Sequence, residues 1–105
     1  MNKMMELLKL YGFEGPYPDF SKLKDESGLY VVLGRNDNDS DWNMIDVGKS
    51  KALKSRLEGH NRKSCWKDQG FNKLAYSVCY IFLEVDYEPI EKMIRDEFNP
   101  PCGEE

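Results

Sequence analysis

At 105 residues, with 40% apolar and 32% charged side chains, the chain has the make-up of one soluble globular domain with a single modest core. No run approaches the roughly 20 apolar residues that span a bilayer. Lys3, Glu6 and Lys9 deny residues 1–13 the apolar stretch of an export signal, so a cytoplasmic location with no membrane role is expected.

The chain divides into a leader, residues 1–26, and a main domain, residues 27–105. In the leader, Met4, Leu7, Leu8 and Tyr11 recur at helical spacing, which predicts a short amphipathic helix over residues 3–11. Gly12, Gly15, Pro16 and Pro18 then open a loop, and Leu23 packs back on the body. Residues 29–33 form a compact β-branched and aromatic run between Gly28 and Gly34, the signature of a strand. The polar stretch 35–41 reads as a hairpin connection. Its acidic spacing resembles a calcium loop, but the closing Glu and the flanking helices are missing. A second strand over residues 42–47 ends at Gly48.

Ser50 suits the N-cap of a helix over residues 51–60, with Leu53 and Leu57 inward and Ala52, Arg56 and His60 one turn apart on a neighbouring face. Residues 61–72 are irregular, anchored by Cys65, Trp66 and Phe71, with room for a second short helix. Residues 74–85 are the longest strand candidate, apolar on both faces and so suited to a covered, central place. Asp86 can cap a last helix, with Pro89 in its first turn and Ile90, Met93 and Ile94 inward, before Asn99, Pro100 and Pro101 stop it. The expected fold class is α/β (α+β): a small three-stranded antiparallel or mixed sheet flanked by helices.

Three cysteines, Cys65, Cys79 and Cys102, form no C-x-x-C pair, so a zinc ribbon is unsupported and Cys79 reads as a core residue. A metal site built from Cys65, Cys102 and His60 has no support from spacing. The net charge of −4 argues against a polyanionic partner, yet its distribution is uneven. Between Lys49 and Lys63 lie Lys49, Lys51, Lys54, Arg56, Arg62 and Lys63 against Glu58 alone, a balance of 6 − 1 = +5. Such a face can hold a nucleic-acid backbone; a solvated helix face has the same composition. Gly48-Lys49-Ser50 is not a nucleotide-binding loop, because Asn43 stands where the first glycine belongs.

Tyr30, Gly48, Arg56, His60, Glu91 and Pro100, taken in order, resemble the motif set of the GIY-YIG nuclease domain. Gly28-Leu29-Tyr30 is similar to the family's opening Gly-Ile-Tyr, and Asp46-Val47-Gly48 stands at its Tyr-Ile-Gly. Residues 48–57 look much like the nuclease domain of bacterial excision-repair incision proteins. The likeness spans about residues 27 to 103. Two positions depart from the pattern: Asp46 replaces the second motif's tyrosine, and Gly103 stands at the terminal asparagine.

The resemblance implies metal-dependent hydrolysis of phosphodiester bonds in nucleic acid, DNA ahead of RNA, with Mg2+ or Mn2+ as cofactor. Tyr30 would take the proton of water, with Lys49 and Arg56 as cations able to lower its pKa, and Arg56 would grip the phosphate. His60 would relay a proton or orient Tyr30. Glu91 would hold the metal, with Asp46 a candidate second ligand peculiar to this chain. Lys49, Lys51, Lys54, Arg62 and Lys63 would contact the nucleic-acid backbone, and a protein partner would supply specificity. Each residue also has a plainer structural reading: Arg56 pairing with Asp46 or Glu91, His60 favouring a helix C-terminus, Glu91 pairing with Arg95. Two alternatives follow: a catalytically impaired module of the same fold that binds nucleic acid or protein, or an unrelated small interaction domain.

Overall fold

The computed structural model describes residues 3–37 and 41–102. Asp39 of the acidic connection and Gly103 at the asparagine position lie outside them. The elements run α1 (Lys3–Leu10), β1 (Glu14–Tyr17), β2 (Gly28–Arg35), β3 (Asn43–Ser50), α2 (Leu53–Glu58), α3 (Lys63–Asp68), β4 (Lys73–Tyr80) and α4 (Glu84–Phe98). Among the described residues the sheet has four strands, not three, in the order β1-β4-β2-β3, and every pairing is antiparallel. The additional strand is Glu-Gly-Pro-Tyr, half exposed and at the sheet edge. A proline-bearing edge strand carries no hydrophobic alternation that could announce it.

Two apolar layers enclose the sheet. On one face Tyr30, Val32, Ile45, Tyr76 and Val78 pack with Leu53 and Leu57 of α2, Trp66 of α3 and Leu23 of the leader. On the other, Val31, Leu33, Met44 and Val47 pack with Met4 and Leu8 of α1 and Ile94 of α4. The central strands therefore have no solvent face: β2 is buried from Gly28 to Gly34. Gly28 is required at the start of β2, since at φ +154° a Cβ would stand 2.0 Å from the Cys79 carbonyl oxygen.

The helix boundaries differ from the sequence expectation for identifiable reasons. Ser50 ends β3 instead of capping α2; its Oγ accepts the Ala52 N–H at 3.0 Å and shapes the turn. The orphan donors of α2 are met by the leader: Asp25 Oδ1 accepts the Ser55 N–H at 2.9 Å, Asp25 Oδ2 accepts the Ser55 hydroxyl at 2.6 Å, and the Glu26 carbonyl accepts the Leu53 N–H at 2.9 Å. Helix α2 stops at Glu58, so His60 lies beyond it and not on its last turn. Strand β4 ends at Tyr80, short of residue 85, and leaves Phe82 and Leu83 exposed. Helix α4 begins at Glu84, so Asp86 sits in its first turn instead of capping it, and Pro89 falls in the second turn. Its inward stripe is Tyr87, Ile90 and Ile94, while Met93 sits at the rim, its sulfur accepting the Tyr11 hydroxyl. Asn99, left-handed at φ 46°, closes the helix ahead of Pro100.

Cys65 and Cys102 are joined in a disulfide, which removes both from any metal site with His60. The bond ties α3 to the C-terminal segment, whose Cys102 N–H also donates to the Ile45 carbonyl. Cys79 is free and buried. No helix among the described residues is long and apolar enough to cross a membrane.

Candidate active site

Tyr30 occupies the middle of β2, opposite Gly48 on β3 and Val78 on β4. Strand alternation turns its ring toward α2 and α3, where it is 1% exposed. The ring lies directly on Gly48: a Cβ there would stand 2.2 Å from Tyr30 Oη and 2.3 Å from Cζ. The glycine of the second motif thus has a steric cause, since any side chain would expel the phenol.

Three side chains, those of Arg62, Trp66 and His60, converge on that phenol and its neighbour Asp46. The Arg62 Nε–H donates to Asp46 Oδ2 at 3.0 Å, and Arg62 Nη2 donates to Asp46 Oδ1 at 3.1 Å and to Tyr30 Oη at 3.0 Å. Trp66 adds its indole N–H to Asp46 Oδ2 at 2.7 Å. A fully buried carboxylate is costly unless paired, and Asp46 is fully buried with three N–H donors on its two oxygens. His60, 4% exposed, hydrogen-bonds Tyr30 Oη through Nε2, while its Nδ1 accepts the Arg62 backbone N–H at 3.0 Å.

The electrostatics follow from this burial. Desolvation, with the Asp46 charge second, pushes the Tyr30 phenol up to about 12, against the opposing fields of Arg62 and Arg56. Desolvation, with Arg56, Arg62 and Lys63 nearby, pulls the His60 imidazole down to about 4. His60 is therefore neutral at pH 7, and because Nδ1 accepts, the ring proton sits on Nε2. His60 therefore donates to Tyr30 Oη.

The other expected residues separate into groups. Arg56 stands near enough for its charge to act on both Tyr30 and His60, and its Nη2 donates to the Asn61 side chain at 3.4 Å. Its partner is Asn61, where the plainer reading had Asp46 or Glu91. Glu91, on α4, lies beneath the sheet, yet its charge still acts on the Tyr30 phenol. Its carboxylate pairs with Arg95 at 2.8 Å, and Arg95 Nη2 also donates to the Val47 carbonyl at 3.3 Å, one residue before Gly48. Lys49 points away from Tyr30, because alternation with Gly48 turns it to the α4 face, where it pairs with Glu84 and Glu88. Lys51 is exposed, Lys54 half-buried, and Lys63 reaches the Glu58 carbonyl with its ammonium 5.3 Å above the Phe20 ring. Arg62 is drawn inward to Asp46, off the outer basic face.

The donor set fits a divalent cation at one of the two expected ligands. Glu91 is half-buried and lines a cleft of about 680 Å³ with Glu84, Val85, Glu88, Pro89 and Lys92. Magnesium binds commonly through one or two carboxylates, keeping water and taking substrate phosphate oxygens for the rest; Glu91 would be its one carboxylate here and would have to leave Arg95. Asp46 does not fit, since its oxygens are enclosed and committed to Arg62 and Trp66. No group of three His, Cys, Asp or Glu that could hold a metal exists among the described residues.

No protein-family model and no curated protein sequence matches the chain. Solved structures do. The GIY-YIG N-terminal endonuclease domain of UvrC from Thermotoga maritima, bound to its catalytic magnesium, is 15% identical, covers 99% of this chain and 100% of its own, and superposes with a TM-score of 0.56. A point mutant of that domain, bound to its catalytic divalent cation, is 17% identical over 82% of this chain and 91% of its own, again with a TM-score of 0.56. The chain has the mixed α and β fold of a GIY-YIG endonuclease domain.

Proposed function

We propose that the chain is a metal-dependent endonuclease that hydrolyses phosphodiester bonds in nucleic acid, DNA ahead of RNA. The observation that carries this reading is the convergence at Tyr30: a phenol oxygen receiving N–H donors from Arg62 and His60, with the charge of Arg56 beside it. The solved structures of the same fold are endonuclease domains bound to a catalytic divalent cation.

Tyr30 takes the proton of the attacking water in its phenolate form; burial and Asp46 hold the resting phenol protonated, with a pKa of about 12, while its two N–H donors and the Arg56 charge favour the phenolate, so the rate should rise with pH. Arg56 presents a planar fork to two phosphate oxygens, which a lysine cannot do. Lys51, Lys54 and Lys63 hold the flanking backbone, and Lys49 secures α4 against β3. Mg2+ or Mn2+ held by Glu91 would supply charge neutralisation at the scissile phosphate. Target choice falls to a protein partner.

The test is purified protein incubated with plasmid and single-stranded DNA plus magnesium or manganese, beside Glu91→Ala and Arg56→Ala. Metal-dependent nicking lost in both variants is the expected result. A second reading, the same fold binding nucleic acid without turnover, is favoured by the Glu91–Arg95 pair and by Asp46 at the motif tyrosine. Salt-sensitive binding with no cleavage by the wild-type chain would establish it.

A further inference from the structure

We propose that Asp46 and Arg62 form an anchored pair that positions Tyr30 for the reaction, so that the departure from the motif at Asp46 is compensated inside the chain. The inference rests on the nuclease reading and adds residues to it. Asp46 grips the guanidinium along one edge, through Nε and one hydrogen of Nη2. The second hydrogen of Nη2 is then left pointing at Tyr30 Oη. Trp66 fixes the carboxylate from the side with its indole N–H, and Trp66 and Arg62 are themselves one turn apart, with the Trp66 backbone N–H donating to the Arg62 carbonyl at 3.1 Å.

The same residue sets the imidazole. The Arg62 backbone N–H occupies Nδ1 of His60, leaving Nε2–H to donate to the same phenol oxygen. Both donors on Tyr30 thus depend on Arg62, one through its side chain and one through its backbone. With two donors on the oxygen, the phenol's own hydrogen must point away from both. Arginine is needed because a lysine ammonium cannot span a carboxylate edge and a phenol in one plane. Arg62 acts through Tyr30 and is a positioning residue.

The experiment compares wild type, Arg62→Gln, Arg62→Lys and Asp46→Asn in steady-state nicking, with nitrogen NMR of the imidazole, which is unambiguous because His60 is the sole histidine. Wild type is expected to show the Nε2–H tautomer. Arg62→Gln is expected to lose kcat on the order of a hundredfold with KM little changed, as when a donor to a charged oxygen is removed. Its tautomer is retained, because the backbone N–H remains. Arg62→Lys should not recover the rate, and added guanidinium should recover part of it in Arg62→Gln. Asp46→Asn, isosteric but uncharged, should fall between. A rise in KM at unchanged kcat would overturn the proposal and make Arg62 a backbone-binding residue, leaving the nuclease reading intact. An Nδ1–H tautomer in the wild type would overturn it too. A wild-type chain that nicks nothing sinks the nuclease reading and takes the positioning role with it, so the two failures are told apart by the wild-type reaction.

Discussion

Gly48 shows how one missing side chain places the chemistry. Gly48→Ala would drive a methyl group into the buried Tyr30 ring, 2.2 Å from Oη, so the ring or the strand must shift. The expected outcome is a loss of about 1–3 kcal/mol in urea unfolding, with nicking reduced further than stability. His60 carries a pH dependence of defined sign. Its folded pKa of about 4 lies below its unfolded value of about 6.5, so protonation favours the unfolded chain. Stability should fall as pH drops below about 6.5, by about 3 kcal/mol in full by pH 4. His60→Gln should flatten that slope between pH 6.5 and 5, measured by urea midpoints, and an unchanged slope would contradict the buried neutral imidazole. At this scale His60 hydrogen-bonds Tyr30 and the Arg56 charge reaches both; it was the family resemblance, not residue spacing, that grouped the three. The sequence did not disclose that Asp46 is held by Arg62 and Trp66. The signal was present: a carboxylate between Ile45 and Val47 in a buried strand needs a partner, but which one depends on a contact 16 and 20 residues away. The turning of Lys49 away from Tyr30 was legible from strand alternation against Gly48, which the motif order obscured.

Each element's boundary is set by the leader and the loops as much as by its own residues. The main strands and helices follow from hydrophobic periodicity, and the left-handed Asn99 before Pro100 ends α4 where its sequence predicts. Strand β1 does not, because its four residues gain strand geometry only by pairing with β4. Helix α2, six residues long, lacks a side-chain cap of its own and is held by Asp25 from the leader. Short helices of this kind take their stability from tertiary contacts. The Cys65–Cys102 bond belongs to the same scale, closing a loop with a sequence separation of 37 between α3 and the segment beside Ile45. Reduction should lower unfolding stability by about 4 kcal/mol on loop entropy, an upper figure if the reduced chain stays compact. A mass shift on thiol labelling, with and without reductant, checks that the bond forms.

The whole molecule is a twice-covered sheet with its charge sorted by face. Lys54 and Arg56 of α2 and Lys63 of α3, with Lys51 in the turn before α2, outnumber Glu58 and Asp68 on the Tyr30 side, while α4, on the far side, carries Glu84, Glu88 and Glu91 beside Lys92 and Arg95. A net charge of −4 therefore coexists with a cationic face for a polyanion. Glu91 and Tyr30 stand on different layers, and Arg95, the partner of Glu91, reaches the Val47 carbonyl beside Gly48 on the edge strand; the proposed mechanism requires a phosphate at that edge. The most direct test is Tyr30→Phe, which keeps the ring and removes only Oη. Nicking of plasmid DNA in magnesium should fall at least on the order of a hundredfold, with the unfolding free energy changed by less than about 2 kcal/mol. Cleavage by Tyr30→Phe at the wild-type rate would contradict the account, because no other group would then be needed at that oxygen's place.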